Sequence, residues 1–191
     1  MPMQSLLLTL VLAAAEAPKT PAQPPARPEL KLEPPERYRM VLGAPVGRFN
    51  DWEKLEVSRF YGLVTTVRIA KIDGKPGDAW ASVARVNLIG PGDEKSRPVL
   101  ALVLQFDRKT HKPMAYFTRS GDDKTYGFKA DLPADQPIQV RAVANRPGKM
   151  IVGLNDFRFE IDLPFEVAGV SAVASGLDAA FEPFELMRRA P

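Results

Sequence analysis

The sequence predicts an all-β fold, an antiparallel sandwich or barrel, on three observations. Short alternations of apolar and polar residues recur along the chain, separated by turns rich in Gly, Pro and Asp. No window sustains a helical period. The stretch Met150–Leu163 reads as two strands around a two-residue turn. Asn155-Asp156 suits that turn, because both residue types tolerate the positive φ that a type I′ turn requires. Leu154 then faces Phe157, Val152 faces Phe159 and Met150 faces Ile161, while Arg158, Glu160 and Asp162 take the opposite face. A one-residue slip would bury the three charges, so the pattern sets its own register.

The chain has 191 residues and no cysteine. That length suffices for one domain with a sizeable core plus some non-domain sequence. The missing cysteine rules out disulfides, thiolate metal ligands and a lipobox anchor, but does not decide the redox compartment. Lys and Arg (26) nearly balance Asp and Glu (23), giving a formal net charge of +3. Both signs are interspersed and no basic block occurs, so no nucleic-acid partner is expected.

In chain order, residues 1–17 read as a signal peptide. Ser5–Leu12 is an apolar run, and Ala13-Ala14-Ala15 satisfies the small-x-small rule for cleavage after Ala15. The run is too short to span a bilayer as a permanent helix, so no transmembrane segment is expected after cleavage. Met1-Pro2-Met3-Gln4 carries no Lys or Arg, and an uncleaved apolar anchor is the alternative. The expected location is periplasmic or extracellular. Residues 18–36 contain Pro18, Pro21, Pro24, Pro25, Pro28, Pro34 and Pro35, and read as a disordered, polyproline-like linker.

The folded domain is expected over 37–191. Its strands are placed at Tyr38–Leu42, Leu63–Ile72, Ala81–Ile89, Val99–Phe106, Lys112–Thr118, Thr125–Lys129, Ile138–Ala144, the hairpin, and Ala180–Met187. Leu63, Thr65, Val67 and Ile69 share one face, as do Leu102, Leu104 and Phe106, and Ile138, Val140, Ala142 and Ala144. Phe184 and Leu186 point inward. Pro164 and Pro183 suit a strand end, an edge or a bulge. About ten strands result.

The last fifty residues resemble the C-terminal part of concanavalin A-like lectin and glucanase jelly rolls. The resemblance rests on Gln139–Ala144, set beside the family's V-x-V-x-A strand, then Gly148–Asn155 and Gly176–Leu186, which match a G-x-x-x-V-x-L-N hairpin and a final strand with F-x-x-F-x-L. It implies an antiparallel jelly-roll β-sandwich, with a sugar or catalytic site on the concave sheet or its rim loops. The superfamily includes lectins, glycosidases, carbohydrate-binding modules and adhesion modules, so the fold alone leaves the activity open.

Glu160-Ile161-Asp162 followed by Glu166 is the sharpest chemical motif. It resembles the E-I-D strand of family 16 glycoside hydrolases, where two glutamates act as nucleophile and acid/base. A retaining glycosidase needs its two carboxyls about 5–5.5 Å apart. Glu160 and Glu166 are six residues apart, roughly 20 Å along a regular strand, and Pro164 argues that the strand ends between them. A polar strand face is the plainer reading, and catalysis is not expected.

His111, the only histidine, sits in a turn-like run and has no second histidine for a metal site. No G-x-S-x-G elbow occurs. Asp73, Asp78, Asp93, Asp122 and Asp123 are weighed as calcium ligands, but no EF-hand loop is present and turn formation explains them better. No metal or cofactor is therefore expected. Trp52, Tyr61, Trp80, Tyr116 and Tyr126 are the candidates for stacking on sugar rings, against the plainer reading that each fills the core. Trp80 follows a Gly/Pro-rich turn that suits a rim. The expected function is an exported, non-catalytic module binding carbohydrate or another envelope component. A glycosidase of the same superfamily and a structural or protein-interaction module are the alternatives, and the oligomeric state is left open.

Overall fold

The computed structural model describes residues 30–75, 78–107, 110, 112–120, 122–126, 132 and 136–191. The stretch expected to be a signal peptide and most of the expected proline-rich linker lie outside the described residues, as does His111.

Twelve strands are present among the described residues. They are β1 (Glu36–Ala44), β2 (Asn50–Lys54), β3 (Phe60–Ile72), β4 (Val83–Ile89), β5 (Val99–Phe106), β6 (Pro113–Arg119), β7 (Asp122–Tyr126), β8 (Ile138–Arg146), β9 (Lys149–Leu154), β10 (Phe157–Asp162), β11 (Gly169–Ser175) and β12 (Leu177–Arg188). They form two six-stranded antiparallel sheets. The first has the order β1-β12-β3-β8-β9-β10 and the second β2-β11-β4-β5-β6-β7. The result is the jelly-roll sandwich expected.

The inward faces follow the alternation read from sequence. Leu63, Thr65 and Val67 of β3, Ile138 and Val140 of β8, and Leu102, Leu104 and Phe106 of β5 are all buried. Phe106, Phe117, Phe181 and Phe184 are the largest fully buried side chains. Full burial of one such ring contributes about 1.5–3 kcal/mol. The β9–β10 hairpin has the expected register, with Phe157 opposite Leu154, Phe159 opposite Val152 and Ile161 opposite Met150. Its turn differs in detail, because Asn155 takes the left-handed conformation at φ 49° and Asp156 does not. A second role pins Asn155: its Oδ1 accepts the Gln139 N–H at 2.8 Å, and its own N–H donates to the Gln139 carbonyl at 2.9 Å.

β12 lies between β1 and β3 and makes the longest run of pairs in the molecule. Pro183 sits inside this central strand, at a register shift between Phe181 and Phe184. Proline cannot donate to the ladder, so the bulge accommodates it. The shift also lets Phe181 and Phe184, three residues apart, both face the core.

Two strands lie outside the expected set. β11 reads G-V-S-A-V-A-S and is buried along its whole length, so it shows no alternation. β2 reads N-D-W-E-K and is mostly polar. Chain pairing also begins earlier than residue 37. Leu32 bridges Arg189, Glu33 N–H donates to the Arg188 carbonyl at 3.0 Å, and β1 opens at Glu36.

Glu36 ties the two sheets at one edge. Its carboxylate accepts from the Tyr38 hydroxyl and pairs with Lys54 of β2 at 3.2 Å and Arg188 of β12 at 2.6 Å. The Tyr38 hydrogen bond, followed by Lys54 and Arg188, holds the Glu36 carboxyl below its usual value despite partial burial.

The corner between sheets is a single residue. Gly176 separates β11 of the second sheet from β12 of the first. Its φ of 66° favours glycine, and a Cβ there would lie 2.8 Å from Ser82 Oγ. Its carbonyl accepts from Ser82 Oγ at 2.8 Å, Asp73 N at 2.9 Å and Gly74 N at 3.2 Å.

Two outcomes are expected. Gly176→Ala destabilises the fold by about 2–4 kcal/mol in denaturant unfolding, from the left-handed backbone and the Ser82 clash together. A loss under about 1 kcal/mol would contradict this account of the corner. For Glu36 the folded-state pKa is depressed, so its stabilisation is present above the unfolded pKa and lost as pH falls through the folded one. The wild type is expected to exceed Glu36→Gln in stability near pH 7 by about 1 kcal/mol or less, since the site is partly exposed. That gap narrows as pH falls below the unfolded carboxyl value; a gap that does not narrow on acidification would refute the assignment.

Candidate functional site

The outward face of the second sheet carries a depression lined by aromatic and polar side chains. The register places Arg85 of β4 opposite Val103 of β5, and Val103 opposite Tyr116 of β6. The adjoining row runs Ser175, Val83, Gln105 and Met114. Val103 faces outward yet is only 4% exposed, so this part of the face is recessed. Two loops rise beside it. The β1–β2 loop brings Phe49, and the β3–β4 loop brings Trp80. Together they bound a groove of about 270 Å³.

The loops are held in place by backbone contacts. Gly176 accepts from Asp73, Gly74 and Ser82, which flank the Trp80 loop on both sides. A Cβ at Gly176 would also sit 3.3 Å from Val46 Cγ2, so the Phe49 loop packs on the same corner. A Cβ at Gly47 would lie 3.7 Å from Trp80 Cδ1, so the two loops meet beside the indole.

Trp80 is 62% exposed and Phe49 55% exposed, both large apolar rings left in solvent at the groove. Such exposure on a recessed face is a mark of a binding surface. The floor is polar. Tyr116 Oη donates to Gln105 Oε1 at 2.6 Å. Burial pushes the Tyr116 hydroxyl upward in pKa, with the Arg85 charge opposing, so it stays a neutral donor. The Arg85 guanidinium lies 5.5 Å from the Phe49 ring centroid, within cation–π range. On the same face Asn87 Nδ2 donates to Ser171 Oγ at 2.8 Å. The groove therefore offers aromatic faces, hydrogen-bonding side chains and one cation. Among the described residues none that lines it is a carboxylate.

Of the five aromatic candidates, the structure brings Trp80 and Tyr116 together. Trp52 faces the core instead, because it pairs with inward-facing Ala172. Its ring packs 4.9 Å from Tyr38 and 5.3 Å from Phe184. Tyr61 belongs to β3 of the other sheet, with the Arg189 guanidinium 6.0 Å from its ring. Tyr126 pairs with Phe117 and packs against the core, with Arg119 5.7 Å from its ring. It lines a different depression of about 400 Å³, together with Arg119, Phe159, Glu160 and Asp162.

The carboxylate motif does not assemble on one strand. Glu160 and Asp162 lie on β10 of the first sheet, whereas Glu166 is exposed in the segment after it. Glu160 accepts from Asn145 Nδ2 at 2.7 Å and pairs with Arg146 at 2.9 Å. Arg146, then Asn145, hold its carboxyl below the usual value, and Lys149 does the same for Asp162. A general acid needs the opposite shift.

The turn aspartates bond locally. Asp93 accepts from the backbone N–H groups of Lys95 and Ser96, Asp78 from that of Lys75, and Asp73 pairs with Lys71. Asp122 and Asp123 belong to β7, and their side chains lie outside the described residues. Among the described residues no cluster of three or more His, Asp or Glu is placed to hold a metal.

Phe49, Arg85 and Gln105 were not among the sequence candidates. Arg85 and Gln105 had a faint signal, as polar interruptions of the apolar strands Val83–Ile89 and Val99–Phe106. Phe49 had none, since its place depends on the fold of the β1–β2 loop.

No protein-family model matches the sequence, and comparison with curated proteins finds no relative. Solved structures do match. A fructofuranosidase from Schwanniomyces occidentalis, complexed with fructosylnystose, aligns over 90% of this chain at 7% identity and a TM-score of 0.58. This chain spans only 36% of that enzyme. An alginate lyase from Alteromonas sp. 272 aligns over 80% of this chain and 88% of its own, at 10% identity and a TM-score of 0.53. The Emp47p carbohydrate recognition domain aligns over 85% and 87%, at 11% identity and a TM-score of 0.52. At such identities the likeness establishes architecture: the chain has the concanavalin A-like jelly-roll fold.

Proposed function

We propose that the protein is an exported, non-catalytic module that binds carbohydrate in the groove of the second sheet. The observation that carries this reading is the exposure of Trp80 and Phe49 beside Tyr116, Gln105 and Arg85. Aromatic faces stack on the C–H faces of pyranose rings, and the polar floor is placed to bond their hydroxyls. The fold is shared with an alginate lyase and a carbohydrate recognition domain, which makes saccharides the first ligand class to test. Among the described residues no carboxylate lines the groove, which argues against glycoside hydrolysis there. Export rests on the apolar run Ser5–Leu12 and Ala13-Ala14-Ala15.

A glycan array paired with a hydrolysis screen tests the function. The wild type is expected to bind at least one oligosaccharide without cleaving it. Trp80→Ala is expected to weaken binding about tenfold or more, as for a central aromatic anchor. A folded protein that binds no glycan, or binds as tightly without Trp80, would refute the proposal. Hydrolysis abolished by Glu160→Gln would make the protein an enzyme instead. For export, N-terminal sequencing of fractionated cells is expected to find a mature chain beginning at Glu16, and intact Met1 in the cytoplasm would contradict it.

A further inference from the structure

Among the described residues Arg85 is the one cation lining the groove, and none of their carboxylates pairs with it. It is only partly exposed, and its Nε is buried with no hydrogen-bond acceptor. Among the described residues no carboxylate lies within ion-pair distance of it. Glu53, outward on β2 of the same sheet, is engaged by Arg97 at 2.6 Å. Asp51 shares a row with Arg85, but Val173 stands between them. Two strand spacings put it about 10 Å away across the sheet. Two residues along the same face, Asn87 Oδ1 is also buried without a donor.

A guanidinium taken partly out of water without an anion is costly, and the cost is recovered when an oxyanion arrives. Phe49 holds the guanidinium plane from one side through its ring. Trp80, Tyr116 and Gln105 line the rest of the groove. A planar fork of donors next to an aromatic wall matches a sugar ring that bears an anionic group.

Building on the carbohydrate reading, we propose that the groove selects acidic saccharides, with Arg85 binding the oxyanion of a uronate carboxylate or a sulfate ester. Trp80 then stacks on the sugar ring and contributes equally to neutral and acidic ligands, whereas Arg85 supplies the discrimination. The two roles separate experimentally.

The test titrates the full chain by calorimetry with matched pairs. Oligogalacturonates are compared with their methyl esters, and sulfated galactan oligosaccharides with their desulfated forms. The acidic member of at least one pair is expected to bind about 10- to 100-fold tighter, the range of a charge-assisted hydrogen-bonded contact. The responding pair identifies carboxylate or sulfate. Arg85→Gln is expected to bring both members of that pair to the same affinity, whereas Trp80→Ala weakens both alike. Added salt is expected to narrow the wild-type preference. If Arg85→Gln does not fold, Arg85→Lys keeps the charge without the fork and is expected to lose part of the preference. Equal binding of acidic and neutral members, or a preference that survives Arg85→Gln, would overturn the assignment while leaving carbohydrate binding intact. Binding of no member of either pair would remove both proposals together.

Discussion

The corner at Gly176 is the constraint on which the rest depends. One residue in the left-handed conformation carries the chain from β11 in one sheet to β12 in the other. Each is an interior strand next to an edge strand, β2 and β1 respectively, so the crossing registers the two sheets against each other on that side of the sandwich. The carbonyl freed at this turn is taken by Ser82, Asp73 and Gly74. The contacts that satisfy a buried polar group therefore also fix both ends of the Trp80 loop. Val46 packs on the same spot and brings the Phe49 loop beside it. Sheet packing and groove shape are set by one local geometry.

The sandwich makes the groove recessed as well as placed. β11 is built of Gly, Ala, Ser and Val and is buried on both faces. Its outward Ser175 lines the groove, beside Val83 and Gln105. A serine at this position leaves room that a larger β-branched side chain would fill. Charge is divided between the two sheets. Glu160 and Asp162 stand on the first sheet, each matched by a cation. The groove in the second sheet holds Arg85 without an anion. Hence the carboxylates of β10 are already paired, while Arg85 lies in the groove proposed for the ligand.

Much of the fold was legible because most strands bury one face and show it by alternation. The Met150–Asp162 hairpin is the clearest case, since its charges sort to one side and specify the register. β11 was hidden because burial on both faces erases the period of two, and its Ala, Ser and Gly content resembles a loop. β2 was hidden because a polar pentapeptide carries its only large apolar contact through Trp52. The site was less legible. Trp52 and Trp80 both follow turn-like stretches, and nothing local tells that one packs on Phe184 while the other stays in solvent. That difference is decided by strand pairing over more than a hundred residues, with Trp52 opposite Ala172. Arg85 and Gln105 likewise become neighbours of Tyr116 only through the β4-β5-β6 register.

The central claim is that ligand recognition belongs to the groove of the second sheet, and to no other face of the sandwich. Nuclear magnetic resonance titration of the isotope-labelled protein with an acidic oligosaccharide tests it most directly. The account predicts shifts concentrated at the Trp80 indole N–H, the Gln105 side-chain amide and the backbone amides of Arg85, Val103 and Tyr116. The Trp52 indole, partly buried and packed against Tyr38 and Phe184, serves as an internal reference and is predicted not to move. Shifts centred on Arg119, Tyr126 and Glu160, at the other depression, with the Trp80 signals unchanged, would contradict it.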